Sequence, residues 1–507
     1  MASIRHRFAV LATVLLVVLC GAGAPQAAQT LRVGMTTLPP SLFNPYATTG
    51  LPYVYVWSAV FDGLTYIDEQ GEVKPWLATG WENLDPLTWR ITLRDDVVFS
   101  DGTPMMSDAV VAVGEFLTSP AATKEVVARM MSFIDTVRAV DTHTVEIVTK
   151  APTPTLPRFL PQFYVVQPEH FRRLGLEGFA RDPIATGPFA VERIAANKVT
   201  FRAHDRAWRP PRVARLEIIT SPDASARRMA VEAGQIDLAL GIGPDEVHAI
   251  EAIGGTGFSW RDAGIWAYQF NGNRDGQYQF APFRDIRVRE ALNLAVDRQA
   301  IIDTLLDGRS VPATHPAPEG VYGFDPDLPP IPYDPDKARR LLAEAGFGNG
   351  FAFTAEATVG GGANDGAIHQ TVAQYLAAIG VRMNIQVITP NQLIRNVVEG
   401  TWTADAFGLH YNFEPTADVL RALDTASCLW HSPWYCNAAV MPDIRAAQVT
   451  FDPAQGLAAR RRIMAAYRWD WPGIYMHQAV RFAAARKGVS GLKVVNNFIQ
   501  YDLLDMK

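Results

Sequence analysis

The stretch Phe61–Val113, FDGLTYIDEQGEVKPWLATGWENLDPLTWRITLRDDVVFSDGTPMMSDAVVAV, decides the fold class. Its centre alternates. Trp89, Ile91 and Leu93 point one way and Thr88, Arg90, Thr92 and Arg94 the other, the pattern of a strand with one buried face. Asp101-Gly102 supplies turn chemistry, because glycine enters the left-handed backbone region without steric penalty. Ser107 and Asp108 then start a helix: the serine oxygen accepts an unpaired backbone N–H, and the acid suits the positive helix end. Val110, Val113 and Leu117 give that helix an apolar face. Strand, turn and helix form a scaffold with no catalytic group in it.

The order of these parts resembles the peptide/nickel-type solute-binding proteins of ABC importers, family 5. That family's P-x-LA-x-x-W turn, W-x-x-x-LR strand and F-x-DG-x-P turn fall on Pro75–Trp81, Trp89–Arg94 and Phe99–Pro104. Further motifs follow in family order. Thr186-Gly187-Pro188-Phe189 precedes a strand at Lys198–Ala203 and then Trp208, and Glu232–Asp237 is similar to the x-x-G-x-ID segment. Phe283–Arg298, FRDIRVREALNLAVDR, and Tyr333–Phe347, YDPDKARRLLAEAGF, match two helix-opening motifs of the family, and the resemblance covers about residues 30–495.

The resemblance implies an α/β, two-lobed periplasmic-binding-protein fold of type II, with an extra inserted domain and a ligand cleft between the lobes. The division it implies is residues 29–65, 188–270 and 478–507 for lobe I, 66–187 for the inserted domain and 271–477 for lobe II. Hinge strands are expected near Ala267–Asn271 and Ile474–Ala479. The hydrophobic periodicity predicts helices at 287–306, 335–346, 366–379 and 453–468. It predicts strands near 31–35, 89–94, 144–149, 198–203, 215–219, 265–271, 381–388 and 475–485.

A chain of 507 residues with net charge −6 has no excess of basic residues to form a nucleic-acid face, so no nucleic-acid partner is expected. The basic runs Arg227-Arg228, Arg339-Arg340 and Arg460–Arg462 read as solvated helix faces. Residues 1–28 read as a secretory signal: Arg5, His6 and Arg7 precede the apolar run Phe8–Cys20, and small residues follow. Cleavage is expected within 24–28, and Leu19 before Cys20 argues against a lipidation site. The mature chain is then expected in the periplasm as a soluble monomer. There Cys428 and Cys436 read as a disulfide rather than as metal ligands.

No Gly-x-Ser-x-Gly elbow, P-loop, His-Glu-x-x-His or Cys-x-x-Cys occurs, so the chain reads as a binding protein, not an enzyme. The histidines show no metal-ligand spacing, and neither metal nor cofactor is expected. Gly360-Gly361-Gly362, between a strand and a helix near Asp365, admits two readings: backbone N–H groups that receive an anion, or a flexible turn.

The densest polar-aromatic cluster is Phe407–Tyr435, where aromatic faces give contact area and polar tips orient a ligand. The candidate ligand-binding residues are Tyr46, His410, Tyr411, Asn412, Glu414, Trp430, His431 and Trp434. In peptide-binding relatives an aspartate shortly before the [ED]-P pair holds the peptide ammonium. Here Glu414-Pro415 is that pair, and the aspartate position falls on Tyr411. The loop that carries an arginine in some dipeptide binders, here Val359–Asn364, has no basic residue, so Glu414 or Asp405 is left as a cation partner. The function implied is a receptor that captures a peptide or peptide-like solute and delivers it to the membrane permease of an ABC importer. The competing readings are an exported hydrolase on a related scaffold, and a receptor for an opine-like or sugar-like solute or a chelated metal.

Overall fold

The computed structural model describes residues 29–273 and 275–507, so the signal sequence read at 1–28, with Cys20, lies outside the described residues. Among the described residues the largest sheet has eleven strands. Its middle is the antiparallel pair Thr256–Phe270 and Gly473–Ala485, which reaches into both halves of the sheet. On one side lie Leu238–Ile242, Thr30–Met35, Arg215–Thr220, Lys198–Ala203 and Phe189–Ala195. On the other lie Ala406–Gly408, Phe351–Ala357 and Val381–Val387. The pairing of the two central strands loses register between Arg261 and Ile265 and again before Ala267. The irregularity therefore precedes the segment from Ala267 onward that the sequence marks as hinge.

A separate four-stranded antiparallel sheet holds Ala78–Asp85, Thr88–Leu93, Thr144–Thr149 and Ile134–Asp141. Trp89, Ile91 and Leu93 are buried and Thr92 is exposed, as the alternation requires. Gly102 takes φ +88° in the turn, and the Thr103 amide donates to Asp101 Oδ1 at 2.9 Å. The helix Ser107–Leu117 buries Val110, Val113 and Leu117. One local expectation is corrected here: Ser107 is already inside the helix, Met106 holds the cap position, and no side chain caps it. The Ser107 amide is satisfied instead by the Thr142 carbonyl at 2.9 Å, a tertiary partner that sequence spacing does not reveal.

The helix expected over 287–306 is two helices, Ile286–Leu294 and Arg298–Leu305. Asp297 separates them because its carboxylate accepts the Ala300 amide and so caps the second. The helices Pro335–Glu344, Asp365–Ala377 and Pro453–Asp470 stand where the periodicity put them. None of the described helices is long and apolar enough to cross a membrane.

The chain segments converge on Asp62, which is fully buried. Its carboxylate accepts from Trp76 Nε1 at 2.8 Å, Thr186 Oγ1 at 2.9 Å, Trp208 Nε1 at 3.2 Å and Arg209 Nε at 2.9 Å. Arg209 reaches on to Asp502 at 2.6 Å, and the Trp76 and Trp208 rings meet edge to face at 4.9 Å. Gly187 lies so close to Val60 that a Cβ would sit 2.5 Å from its carbonyl, so a side chain there forces the strand away. Asp62→Ala strands a buried guanidinium and two indole N–H groups, and is expected to cost ~3–5 kcal/mol in denaturant unfolding. A loss below ~1 kcal/mol, the size of an exposed ion pair, would show that this network does not hold the segments together.

Candidate functional site

Strands that run parallel expose their loops at one end, and in both halves of the sheet these loops face a common cavity of about 560 Å³. One half contributes Thr36, Pro222, Asp223 and Gly241–Gly243, and the other contributes Gly360–Asn364. The central strands supply Trp260, Arg481 and Phe482 to its floor. A second cavity of about 460 Å³ lies against Trp260–Ala263, Gln478 and Asn496, and Trp260 borders both.

Arg481 separates the two. Its Nε meets Asp262 Oδ2 at 2.7 Å, and its Nη1 donates to the Gly361 carbonyl at 2.8 Å, which ties one half of the sheet to the glycine loop of the other. Asp262 holds the guanidinium above its ordinary pKa, while burial raises Asp262 itself. Glu414 is buried beside them, with Asn497 Nδ2 donating to its Oε2. Burial first, then the Asp262 charge, push the Glu414 carboxyl up to about 8, so it holds a proton at neutral pH.

The glycine loop has already chosen its anion. The amides of Gly360, Gly361 and Gly362 donate to Asp365 Oδ2 at 2.9, 3.0 and 3.1 Å. These N–H groups are therefore occupied by the protein's own carboxylate, which resolves the two readings of this loop. Arg227 is buried at the cavity edge; its Nη2 donates to the Gly241 carbonyl at 2.6 Å and its Nη1 to the Ser221 carbonyl, while Nε is unpartnered.

The candidate residues separate in space. Glu414 joins the central charge cluster, and Asn412 accepts the Glu414 amide at 2.8 Å. His410 lies with its ring centroid 3.7 Å from that of Trp266, whose indole borders the glycine loop. Burial, then Arg481 and His477, depress His410 to about 3, so it is neutral. Tyr411, at the position where relatives carry aspartate, is buried against Tyr475 with its hydroxyl unpartnered. Asp405 accepts the Thr354 amide at 2.8 Å.

The remaining candidates lie elsewhere. Tyr46 is in the core, donating its hydroxyl to the Tyr164 carbonyl at 2.9 Å and packing on Phe116. Trp434 donates to Gln269 Oε1 at 2.6 Å, and with His431 it borders a separate cavity of about 200 Å³. Trp430 donates to the Val397 carbonyl at 2.9 Å and its ring lies 4.6 Å from that of His431. Cys428 and Cys436 are joined by a disulfide, with Cα atoms 4.5 Å apart. Among the described residues no group of three or more His, Cys, Asp or Glu is placed to hold a metal ion.

Sequence reasoning missed Trp260, Asp262, Arg481 and Asp365. A signal existed for two of them, since Asp262 and Arg481 are charges inside long strands that are otherwise largely apolar, GFSWRDAGIWAYQF and GIYMHQAVRFAAA.

A family model described as bacterial extracellular solute-binding proteins, family 5 Middle, matches residues 72–427. Heme-binding protein A of Haemophilus influenzae is 30% identical over 45% of this chain and 41% of its own length. The nickel-binding periplasmic protein of Escherichia coli is 30% identical over 68% of this chain and 65% of its own length. The chain thus spans less than two thirds of these two relatives, whereas it spans 82% of a glutathione-binding protein of Salmonella typhimurium, at 27% identity over 81% of this chain.

Among solved structures, NikA from Brucella suis in complex with Fe(III)-EDTA superposes with TM-score 0.80 at 21% identity, covering 94% of this chain and 100% of that one. The dipeptide binding protein from Pseudoalteromonas in complex with Met-Leu gives TM-score 0.75 at 21% identity, covering 94% and 100%. The fold is the two-lobed, type II periplasmic-binding-protein fold. With the family model matched over most of its length, this chain belongs to family 5 of the bacterial extracellular solute-binding proteins of ABC importers.

Proposed function

We propose that this chain is an exported receptor whose lobes close on a peptide or peptide-like solute in the cleft and then present it to the permease of an ABC importer. The carrying observation is the central strand pair. It links the two halves of the sheet, loses register at Arg261–Ala267, and floors a cavity of about 560 Å³ that both halves line. Such a volume suits a small solute. Closure follows if the ligand makes contacts in the closed state that the open state lacks.

The lobe division proposed is 29–65, 188–270 and 478–507 against 271–477, with 66–187 inserted. The separate sheet spanning Ala78–Thr149 supports the insertion. We place the bend at Asp262–Trp266. The named specificities of relatives, heme, nickel and glutathione, leave the solute class open. The occupied glycine loop and the buried Tyr411 argue against a free dipeptide held at both its charged ends. A periplasmic location with the signal removed, a monomeric state and the absence of enzymatic turnover belong to the same reading.

The test is mass spectrometry of solute retained by the purified mature chain, followed by thermal-shift titration with that solute. A ligand bound by the native state alone raises the apparent melting temperature as its concentration passes Kd. Trp260→Ala, which removes the aromatic shared by both cavities, is expected to weaken retention roughly tenfold or more. If no retained or added solute shifts the melting temperature, the receptor reading falls.

The Glu414 carboxyl adds a pH signature. Its folded-state pKa of about 8 exceeds the 4.5 of a free glutamate. The folded chain therefore keeps this proton while the unfolded chain loses it. Stability from this group is intact below pH 4.5 and declines as pH rises toward 8, by at most ~1.4 kcal/mol per pH unit. Glu414→Gln lacks this titration, so its melting temperature relative to wild type should climb between pH 5 and 8. A difference that stays flat across that range would mean Glu414 is not held neutral.

A further inference from the structure

The 460 Å³ cavity is walled by an unusual surplus of acceptors. Asp262 and Gln478 both line it, are 6% and 4% exposed, and each leaves one oxygen, Asp262 Oδ1 and Gln478 Oε1, without a hydrogen-bond partner. The orientation of Gln478 is fixed, because its Nε2 donates to the Asp262 carbonyl at 2.9 Å. Asn496 repeats the arrangement: its Nδ2 donates to the Pro415 carbonyl, and its Oδ1 is unpartnered at the same wall. Buried acceptors cost free energy until a donor arrives.

Around the mouth stand Asp68, Glu69 and Glu319, with Arg261 as the cation on the wall among the described residues. Asp68 and Glu69 have lysine partners, Lys74 at 3.3 Å and Lys493 at 3.2 Å, and these exposed pairs hold little energy. Glu319 has no ion-pair partner within 4.0 Å among the described residues. Ile67, Val494 and Val495 give the cavity an apolar side that suits an alkyl chain.

We propose that this cavity is a subsite for an organic cation carrying several N–H donors, of the alkylguanidinium kind. A planar cation with donors on more than one edge satisfies convergent oxygens that a carbonyl-rich or anionic group leaves unpaired. One of the unpartnered oxygens lining the cavity belongs to the Asp262 carboxylate, which adds charge complementarity to donor count. The proposal rests on the receptor reading and names the chemistry of one end of its solute.

Three probes of one size separate the requirements: n-butylguanidinium, with charge and N–H donors; n-butylurea, with donors and no charge; n-butyltrimethylammonium, with charge and no donors. In calorimetric titration of the full chain, the guanidinium is expected to bind and the other two at least tenfold more weakly. Asp262→Asn should weaken guanidinium binding roughly 30-fold or more, the usual loss for truncating a buried charged partner. Glu319→Gln, at an exposed position, should weaken it by no more than about fivefold and serves as the variant whose fold is not at risk. Equal binding of the urea or the quaternary ammonium, or guanidinium binding indifferent to both substitutions, overturns the proposal. If a retained solute binds while no guanidinium does, the subsite fails and the receptor reading stands. If neither binds, both fail.

Discussion

Everything in the first lobe hangs on one buried carboxylate. Asp62 precedes the separate four-stranded sheet over Ala78–Thr149, Thr186 lies between that sheet and Phe189–Ala195, and Trp208 with Arg209 stand in the loop beyond Lys198–Ala203. A segment of more than a hundred residues thus leaves and re-enters through a gap closed by donors to one side chain. A buried carboxylate tolerates such a place only if its lone pairs are filled, and here indole, hydroxyl and guanidinium groups fill them. Trp76, just before the strand Ala78–Asp85, is tied to Asp62 by the same demand.

A second polar system grips the central strands. Asn293 is fully buried, donates to the Gly473 carbonyl at 2.8 Å and accepts the Tyr475 amide at 3.2 Å. Arg298 donates to the Tyr475 and Asn293 carbonyls, and Arg289 donates to the Asp470 carbonyl at 2.9 Å. On the other side, Asp237 accepts the Arg32 amide at 2.7 Å and also receives Arg486, just past the end of the strand Gly473–Ala485. One strand is thereby held at its start by the helices Ile286–Leu294 and Arg298–Leu305 and just past its end by Asp237. Between the two grips, Arg481 adds a third tie, to Asp262 and to the Gly361 carbonyl.

These networks explain what was legible in the sequence. The motifs that resemble the family, from FDG and PWLATGW to TGPF, RVREALNLAVDR and YDPDKA, supply the donors, caps and carboxylates just described. They are recognisable because a buried polar network admits few residue types at each position, and because helix caps have local spacing. The ligand surface has no such constraint. Tyr46 and Trp434 are candidates by residue type, and each makes a hydrogen bond within the protein, to the Tyr164 carbonyl and to Gln269. Asp262, Glu414 and the pair Gln478 and Arg481 come from three segments remote in the chain, and Asp262 meets Arg481 and Gln478 where the two central strands lose register. No window of sequence contains that neighbourhood. What a window does contain is a charge misplaced in an apolar strand, and that signal pointed to the right strands.

The bend proposed at Asp262–Trp266 has a steric and an electrostatic reason together. A Cβ on Gly264 would lie 2.7 Å from the Tyr411 carbonyl, because the short strand Tyr411–Asn412 pairs with Thr256–Phe270 there. The strand therefore passes this point without a side chain, and register is lost around it. Immediately before it, Asp262 and, across the pair, Gln478 carry acceptors that nothing among the described residues satisfies. When the lobes close, these oxygens lose whatever solvent reaches them. Closure is then favourable only around a ligand that replaces the lost hydrogen bonds, and a solute lacking donors meets a penalty rather than a mere lack of gain. Discrimination by unsatisfied acceptors at a bend couples the choice of ligand to the motion itself, which is what a receptor that must close on the correct solute requires.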